Sequence, residues 1–214
     1  MTIENLTFDE QKELFRYGIP DSHKRRIIQR YFKLNPKQCN YDYEAVKNSA
    51  GKEFLEFTAE LKLVTKHLFY DFLTELGRSE LEFILMYLHS KLGVQRIQFV
   101  AHIGNILMIY LPPAEVYQVL MQLVNQTYRI KKDPKENGRL RWFLPHDAND
   151  HAQLISTFID MFMEDTKQQV LFDKCYELEL NFDIIINSLL NSMLTSVLSL
   201  DQSIHICFNF LFEG

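Results

Sequence analysis

The chain has 214 residues, of which 47% are hydrophobic and 24% charged, values that are typical of a globular protein and exclude a disordered or fibrous one. Its 23 basic and 28 acidic residues give a net charge of −5, which does not favour nucleic acid as a partner. The three cysteines are far apart, unlike those of a disulfide framework or a zinc site, so we expect a reducing compartment.

The first 34 residues predict two short helices separated by a break. Gly18 suits the end of a leading helix within residues 1–17, because glycine tolerates the left-handed conformation found there. Ile19-Pro20 then interrupts the chain, and a second helix is predicted over about residues 23–34. It ends before a proline because the residue that precedes proline avoids the α region.

The middle of the chain predicts the centre of the fold. One apolar stripe recurs at helical spacing and consists of Leu81, Ile84, Leu85, Leu88 and Leu92. Residues 99–111 are apolar almost all round, which predicts a central helix surrounded by other helices. Pro112-Pro113 then begins a further helix over residues 114–128, since proline suits the first helical turn.

The C-terminal third predicts an exposed loop followed by more helices. Residues 131–141 carry five basic side chains with a proline and a glycine, a composition typical of a loop. A stripe over residues 182–198 predicts one buried helix face that contains Phe182, Ile186, Leu189, Met193 and Val197. We find no β alternation and no repeat, so the prediction is a single all-α domain over residues 1–214 with about ten helices or more.

Common catalytic motifs are absent from the sequence. It contains no P-loop, no G-x-G-x-x-G, no H-E-x-x-H and no G-x-S-x-G. His146 and His151 lie close together near two aspartates, but this pattern is more typical of a capped loop before a helix than of a metal site. We therefore expect neither a metal nor a cofactor.

Three segments of the chain carry motifs in a recognisable order. Residues 18–28, GIPDSHKRRII, have an I-P dipeptide before a helix, with Lys24 where R-x-x-[VI]-W has its arginine. Residues 96–117 are similar to a Y-x-Q-G stretch, an apolar helix and a P-E-E-x-x-F helix start. Residues 189–214 are similar to W-F-L-x-L-F and R-I-W-D-x-F-L-x-E-G. Together they resemble the TBC domain of Rab GTPase-activating proteins over residues 18–214. The resemblance implies the all-α fold of that family, which we expect here to lack the family's last helices.

The resemblance implies that two side chains act on a bound GTPase. In this family an arginine stabilises the charge on the transferred phosphoryl group and a glutamine orients the attacking water. Gln98 matches the glutamine, with Arg96 in place of the tyrosine, but Leu63 stands where the arginine falls. Lys62 and Lys66 are nearby cations that lack the planar fork of arginine. We expect weak or absent GTPase activation, with Lys62, Lys66 and Arg96 contacting the partner.

Three functions are left open by the sequence. The first is a catalytically degenerate Rab-binding or scaffold module in membrane trafficking, and the second is an active Rab GTPase-activating protein that uses Gln98 with a non-standard cation. The third is an adaptor in which anionic lipids are met either by Lys24, Arg25, Arg26 and Arg30 or by the basic loop over residues 131–141, each cation contributing about 1 kcal/mol. We expect a cytoplasmic protein, peripheral on membranes in the third case.

Overall fold

The structure is a computed structural model that describes residues 18–50, 70–95, 97–132, 147–164, 166–192 and 194–213. Within them the chain forms nine α-helices, one short 3-10 helix and no strand. The α-helices are α1 (Asp21–Tyr31), α2 (Pro36–Ser49), α3 (Glu75–Leu92), α4 (Ile97–Tyr110), α5 (Pro113–Lys132), α6 (Ala148–Glu164), α7 (Thr166–Glu177), α8 (Phe182–Asn191) and α9 (Leu200–Glu213). The all-α prediction is confirmed, and the predicted leading helix lies outside the described residues.

The helix starts follow from local capping chemistry. The side chain of Asn35 accepts a 3.1 Å hydrogen bond from the amide of Lys37, and Pro36 occupies the first turn of α2, where its missing amide costs nothing. Thr74 caps α3 in the same way, accepting from the amide of Gly77 at 3.1 Å. These short polar side chains set the registers in which the apolar stripes face inward.

The main core forms around α4, as predicted. Helices α3, α4 and α5 pack on one another, α1 and α9 pack on α4, and α2 packs on α5. Between Ile97 and Leu107, α4 has buried residues on nearly every side of the helix. At Gly104 an added Cβ would lie 2.8 Å from Cδ1 of Leu81, so the absence of a side chain there allows α3 and α4 to approach closely.

Helices α6, α7 and α8 form a second unit, which we call the α6–α8 unit. They pack on each other, and α8 also packs against α4. Phe182 and Ile186 are buried as predicted, and Leu189 is half-buried. Val197 is 65% exposed, so the predicted buried face is wrong at its C-terminal end, and Met193 lies outside the described residues. The helix ends at Asn191 because the Ser192 hydroxyl bonds to backbone carbonyls of the last turn and Leu194 adopts a φ of 62°.

Candidate functional site

Gln98 lies in the first turn of α4, and the turn before this helix fixes its position. Gly93 ends α3 with a φ of 67°, a left-handed conformation that favours glycine. Nδ1 of His89 donates a 2.8 Å hydrogen bond to the carbonyl of Val94, whose side chain is fully buried. The reversal between α3 and α4 is therefore held by a backbone conformation and by a buried anchor.

A cavity of about 440 Å³ lies beside Gln98, between α4 and the segment formed by α8 and the turn after it. The residues that line this Gln98 cavity are Gln98, His102, Ile184, Asn187, Ser188, Asn191, Ser192 and Ser196. Seven of these eight side chains are polar, and none belongs to aspartate, glutamate, lysine or arginine. Among the described residues, the cavity therefore offers hydrogen-bonding groups but no lysine or arginine that would stabilise a phosphoryl charge.

Hydrogen bonds order the wall of the Gln98 cavity. The hydroxyl of Thr195 has one proton, which it donates to the carbonyl of Ser192 at 2.6 Å. Its 3.0 Å contact with Nδ1 of His102 is then a bond in which the imidazole N–H donates. Asn191 donates to the side-chain oxygen of Asn187 at 2.9 Å. The turn after α8 is thus tied to α4 across the cavity.

Gln98 is half-buried, and its side-chain oxygen is not accessible to solvent. Its Oε1 atom is buried and finds no hydrogen-bond partner among the described residues. A group that orients water on a second protein must reach that protein's nucleotide. In this conformation the oxygen of Gln98 is turned toward the interior, which does not suit that catalytic role.

The other residues predicted to contact a GTPase fall outside the described part of the chain. These are Lys62, Lys66 and Arg96, together with Leu63 at the position of the family's arginine. Of the residues predicted for the GTPase site, Gln98 therefore lies within the described part of the chain.

The structure places two cations of the predicted lipid-binding cluster in contacts within the chain. Nζ of Lys24 donates to Asp21 at 2.5 Å and to the hydroxyl of Tyr110 at 3.2 Å, and it lies 5.5 Å from the ring centre of Phe208. Only 13% of the Lys24 side chain is exposed. The hydrogen bond from Lys24 lowers the pKa of Asp21. Lys24 therefore serves to join α1 to α4 and α9.

Arg25 also forms an ion pair within the chain, and its partner is a buried carboxylate. Glu115, in the first turn of α5, is 1% exposed and accepts from Arg25 at 3.1 Å. The amide of Gln29 donates to both oxygens of the same carboxylate, at 3.0 and 2.9 Å. Arg26 and Arg30 are exposed. The four residues therefore do not act as one free cationic patch.

Sequence reasoning did not single out the polar residues of α8 that line the cavity. A signal was present, since Asn187 and Asn191 are spaced i, i+4, as are Ser188, Ser192 and Ser196. Such spacing places each set on one side of a helix. It does not reveal which helix that side meets, and here the partner is α4, about 90 residues away in the chain.

No cluster of three His, Cys, Asp or Glu side chains in the described residues is placed to hold a metal ion. Within the same residues no helix combines the length and the apolar character that crossing a membrane requires. Comparisons of the chain with models of protein families, with curated proteins and with solved structures find no match.

Proposed function

We propose that this chain is a catalytically degenerate TBC-like module that binds a small GTPase of the Rab type. The supporting observation is the agreement between motif positions and helix boundaries. Helix α1 begins directly after Ile19-Pro20, α5 begins at Pro113, and Gln98 stands in the first turn of an apolar helix. Each of these features is expected of the motifs that carry the resemblance.

The proposal excludes strong catalysis for two reasons. An arginine finger accelerates GTP hydrolysis by roughly 10³ to 10⁵, and this sequence has Leu63 at the corresponding position. The second reason is the buried Oε1 of Gln98, in a cavity that no lysine or arginine lines within the described part of the chain. The chain would therefore bind a partner GTPase without strongly accelerating the hydrolysis of its GTP.

The binding arm of the test uses purified small GTPases loaded with a non-hydrolysable GTP analogue or with GDP. We expect at least one Rab-type GTPase to bind with a preference for the GTP state. Arg96→Ala, Lys62→Ala and Lys66→Ala should weaken this binding, because each removes a cation from the predicted contact. Absence of binding across a broad panel of Rab-type GTPases would contradict the proposal.

The kinetic arm measures single-turnover GTP hydrolysis by the bound GTPase with the chain in excess. We expect stimulation well below the roughly 10³-fold lower end of arginine-finger effects. If Gln98 positions the attacking water once the GTPase is bound, Gln98→Ala should abolish any such stimulation, while Gln153→Ala, at an exposed position on α6, is the matched control. Stimulation near 10³-fold that depends on Gln98 would establish an active GTPase-activating protein instead.

A further inference from the structure

A groove of about 600 Å³ runs between α6 and α8. We call it the α6–α8 groove, and it is lined by Ala148, His151, Ala152, Ile155, Ser156, Ile159, Asn181, Asp183, Ile184 and Asn187. Its apolar part consists of Ile155, Ile159 and Ile184, and Ile184 is 64% exposed. A large aliphatic side chain so exposed in a concave surface is typical of a contact site.

The unit that forms the groove is strongly acidic. Residues 147–200 contain nine aspartates and glutamates but only two lysines, a net charge of −7 within a chain whose total is −5. Among the described residues the exposed carboxylates here are Asp160, Glu164, Asp173, Glu177, Glu179 and Asp183. The exposed Lys174 is paired with Glu177 at 2.7 Å, so it does not offset the charge at the groove.

We propose that the α6–α8 groove docks a basic amphipathic helix from a partner protein. The three isoleucines would receive the apolar stripe of such a helix, and Asp183 with its acidic surroundings would attract lysines and arginines beside that stripe. The same charge disfavours an anionic membrane surface and an acidic partner. This inference goes beyond GTPase binding, since none of the described residues that line the groove was predicted to contact the GTPase.

The length of the groove suits a short helical segment. Its wall on α6 extends from Ala148 to Ile159, eleven steps of about 1.5 Å, or roughly 16 Å. This is about three turns of a helix, enough for apolar anchors at i, i+3 or i+4 and i+7. Ile184 and Asn187 also line the Gln98 cavity, so an occupant of the groove would lie next to that cavity.

The test uses a synthetic helical peptide of about 18 leucines and lysines, with the leucines on one face. A peptide with glutamate in place of every lysine is the matched probe. We expect the basic peptide to bind and to shift the methyl NMR signals of Ile155, Ile159 and Ile184, leaving the buried Ile27 and Ile103 unchanged. Binding should weaken as salt rises, since screening shortens the reach of the carboxylates.

Two pairs of variants sharpen the assignment. Ile184→Ser should weaken binding of the basic peptide about tenfold, whereas Leu76→Ser, a change at a residue that is 71% exposed on α3, should leave it unaltered. Asp183→Asn should weaken it about threefold, with Glu44→Gln on α2 as its control. Because all four positions are exposed, the variants should remain folded.

Three results would overturn the proposal. The first is equal binding of the acidic and basic peptides, and the second is a set of methyl shifts that omits the groove. The third is concentration-dependent self-association in sedimentation that Ile184→Ser abolishes, which would put a second copy of this chain in the groove instead.

Discussion

The helices around α4 bury their apolar residues, whereas the α6–α8 unit leaves many of its apolar residues exposed. In α3 the side chains of Leu81, Ile84, Leu85 and Leu88 are completely buried. Among the described apolar residues of the α6–α8 unit, by contrast, only Phe182 and Ile186 are buried. The two regions have the same kind of secondary structure, so helical content alone does not show where the stability of the fold lies.

Exposed apolar residues make the contrast sharper. Of the twelve large apolar side chains that are exposed in the described part of the chain, nine lie between residues 158 and 197. They are Phe158, Met161, Val170, Tyr176, Leu178, Leu180, Ile184, Ile185 and Val197. Since burial is what stabilises such groups, these residues contribute little to folding, and their exposed surface is of the kind that contacts a partner. The α4 core thus holds the fold together, while the α6–α8 unit presents a surface.

The largest expected effect comes from the same kind of truncation made once in each region. Leu85→Ala should lower the free energy of unfolding by about 2–5 kcal/mol, because it leaves a cavity at a fully buried site. Ile184→Ala should change it by about 0.5 kcal/mol or less, because that side chain is already 64% exposed. Denaturant unfolding measures both, and equal losses would contradict the division into core and surface unit.

A second pair of variants compares a buried carboxylate with an exposed one. Glu115→Ala should cost about 1–3 kcal/mol of stability, because it removes the acceptor for Arg25 and Gln29 in a buried place. Glu177→Ala breaks the ion pair with Lys174, in which the two side chains are 62% and 63% exposed. This change should lower the free energy of unfolding by no more than about 0.5 kcal/mol.

Salt provides a control for this pair. Screening weakens interactions between exposed charges far more than between buried ones. Raising the ionic strength should therefore leave the loss in Glu115→Ala nearly unchanged while it removes any loss in Glu177→Ala. The opposite pattern would show that Glu115 is accessible to solvent.

Sequence patterns predicted the α4 core well because its buried helix faces depend on the spacing of apolar residues that are close together in the chain. The spacing of Leu81, Ile84, Leu85, Leu88 and Leu92 predicted a buried face. The structure confirms the first four, whereas Leu92 at the end of the helix is half-buried. The apolar run over residues 99–111 identified the central helix, and Pro113 marked the start of the next. In each case the signal lies within one or two helical turns, the range over which side-chain spacing fixes a helix face.

Contacts between distant segments could not be predicted in this way. The α8 stripe continues in the sequence to residue 198, but side-chain bonds of Ser192 and the positive φ of Leu194 end the helix earlier. The sequence did not reveal the partners of Lys24 and Arg25, because Tyr110 and Glu115 are 86 and 90 residues away. The contact between Thr195 and His102 in the wall of the Gln98 cavity likewise joins residues that are 93 positions apart. Periodicity predicts which face of a helix is buried, whereas the element that packs against this face depends on the tertiary structure.

The smallest expected effect separates a buried tyrosine of the core from an exposed one in the α6–α8 unit. Tyr43 is 4% exposed and donates to a carboxylate oxygen of Glu80 at 2.5 Å. Burial, together with this hydrogen bond, raises the pKa of Tyr43 far above its usual value of about 10. The folded chain therefore keeps this proton at a pH where the unfolded chain releases it.

Stability that depends on Tyr43 is consequently complete below pH ~10 and is lost as the pH rises above it, by up to about 1.4 kcal/mol per pH unit. Tyr43→Phe should be slightly less stable at pH 8, because it loses one hydrogen bond worth about 1 kcal/mol, and should show a shallower decline between about pH 10 and 11. Tyr176→Phe, at a position 81% exposed in α7, should follow the parent chain at every pH. Urea unfolding across this range measures the slopes, and parallel curves for Tyr43→Phe and the parent would mean that the phenol of Tyr43 titrates as freely in the folded chain as in the unfolded one.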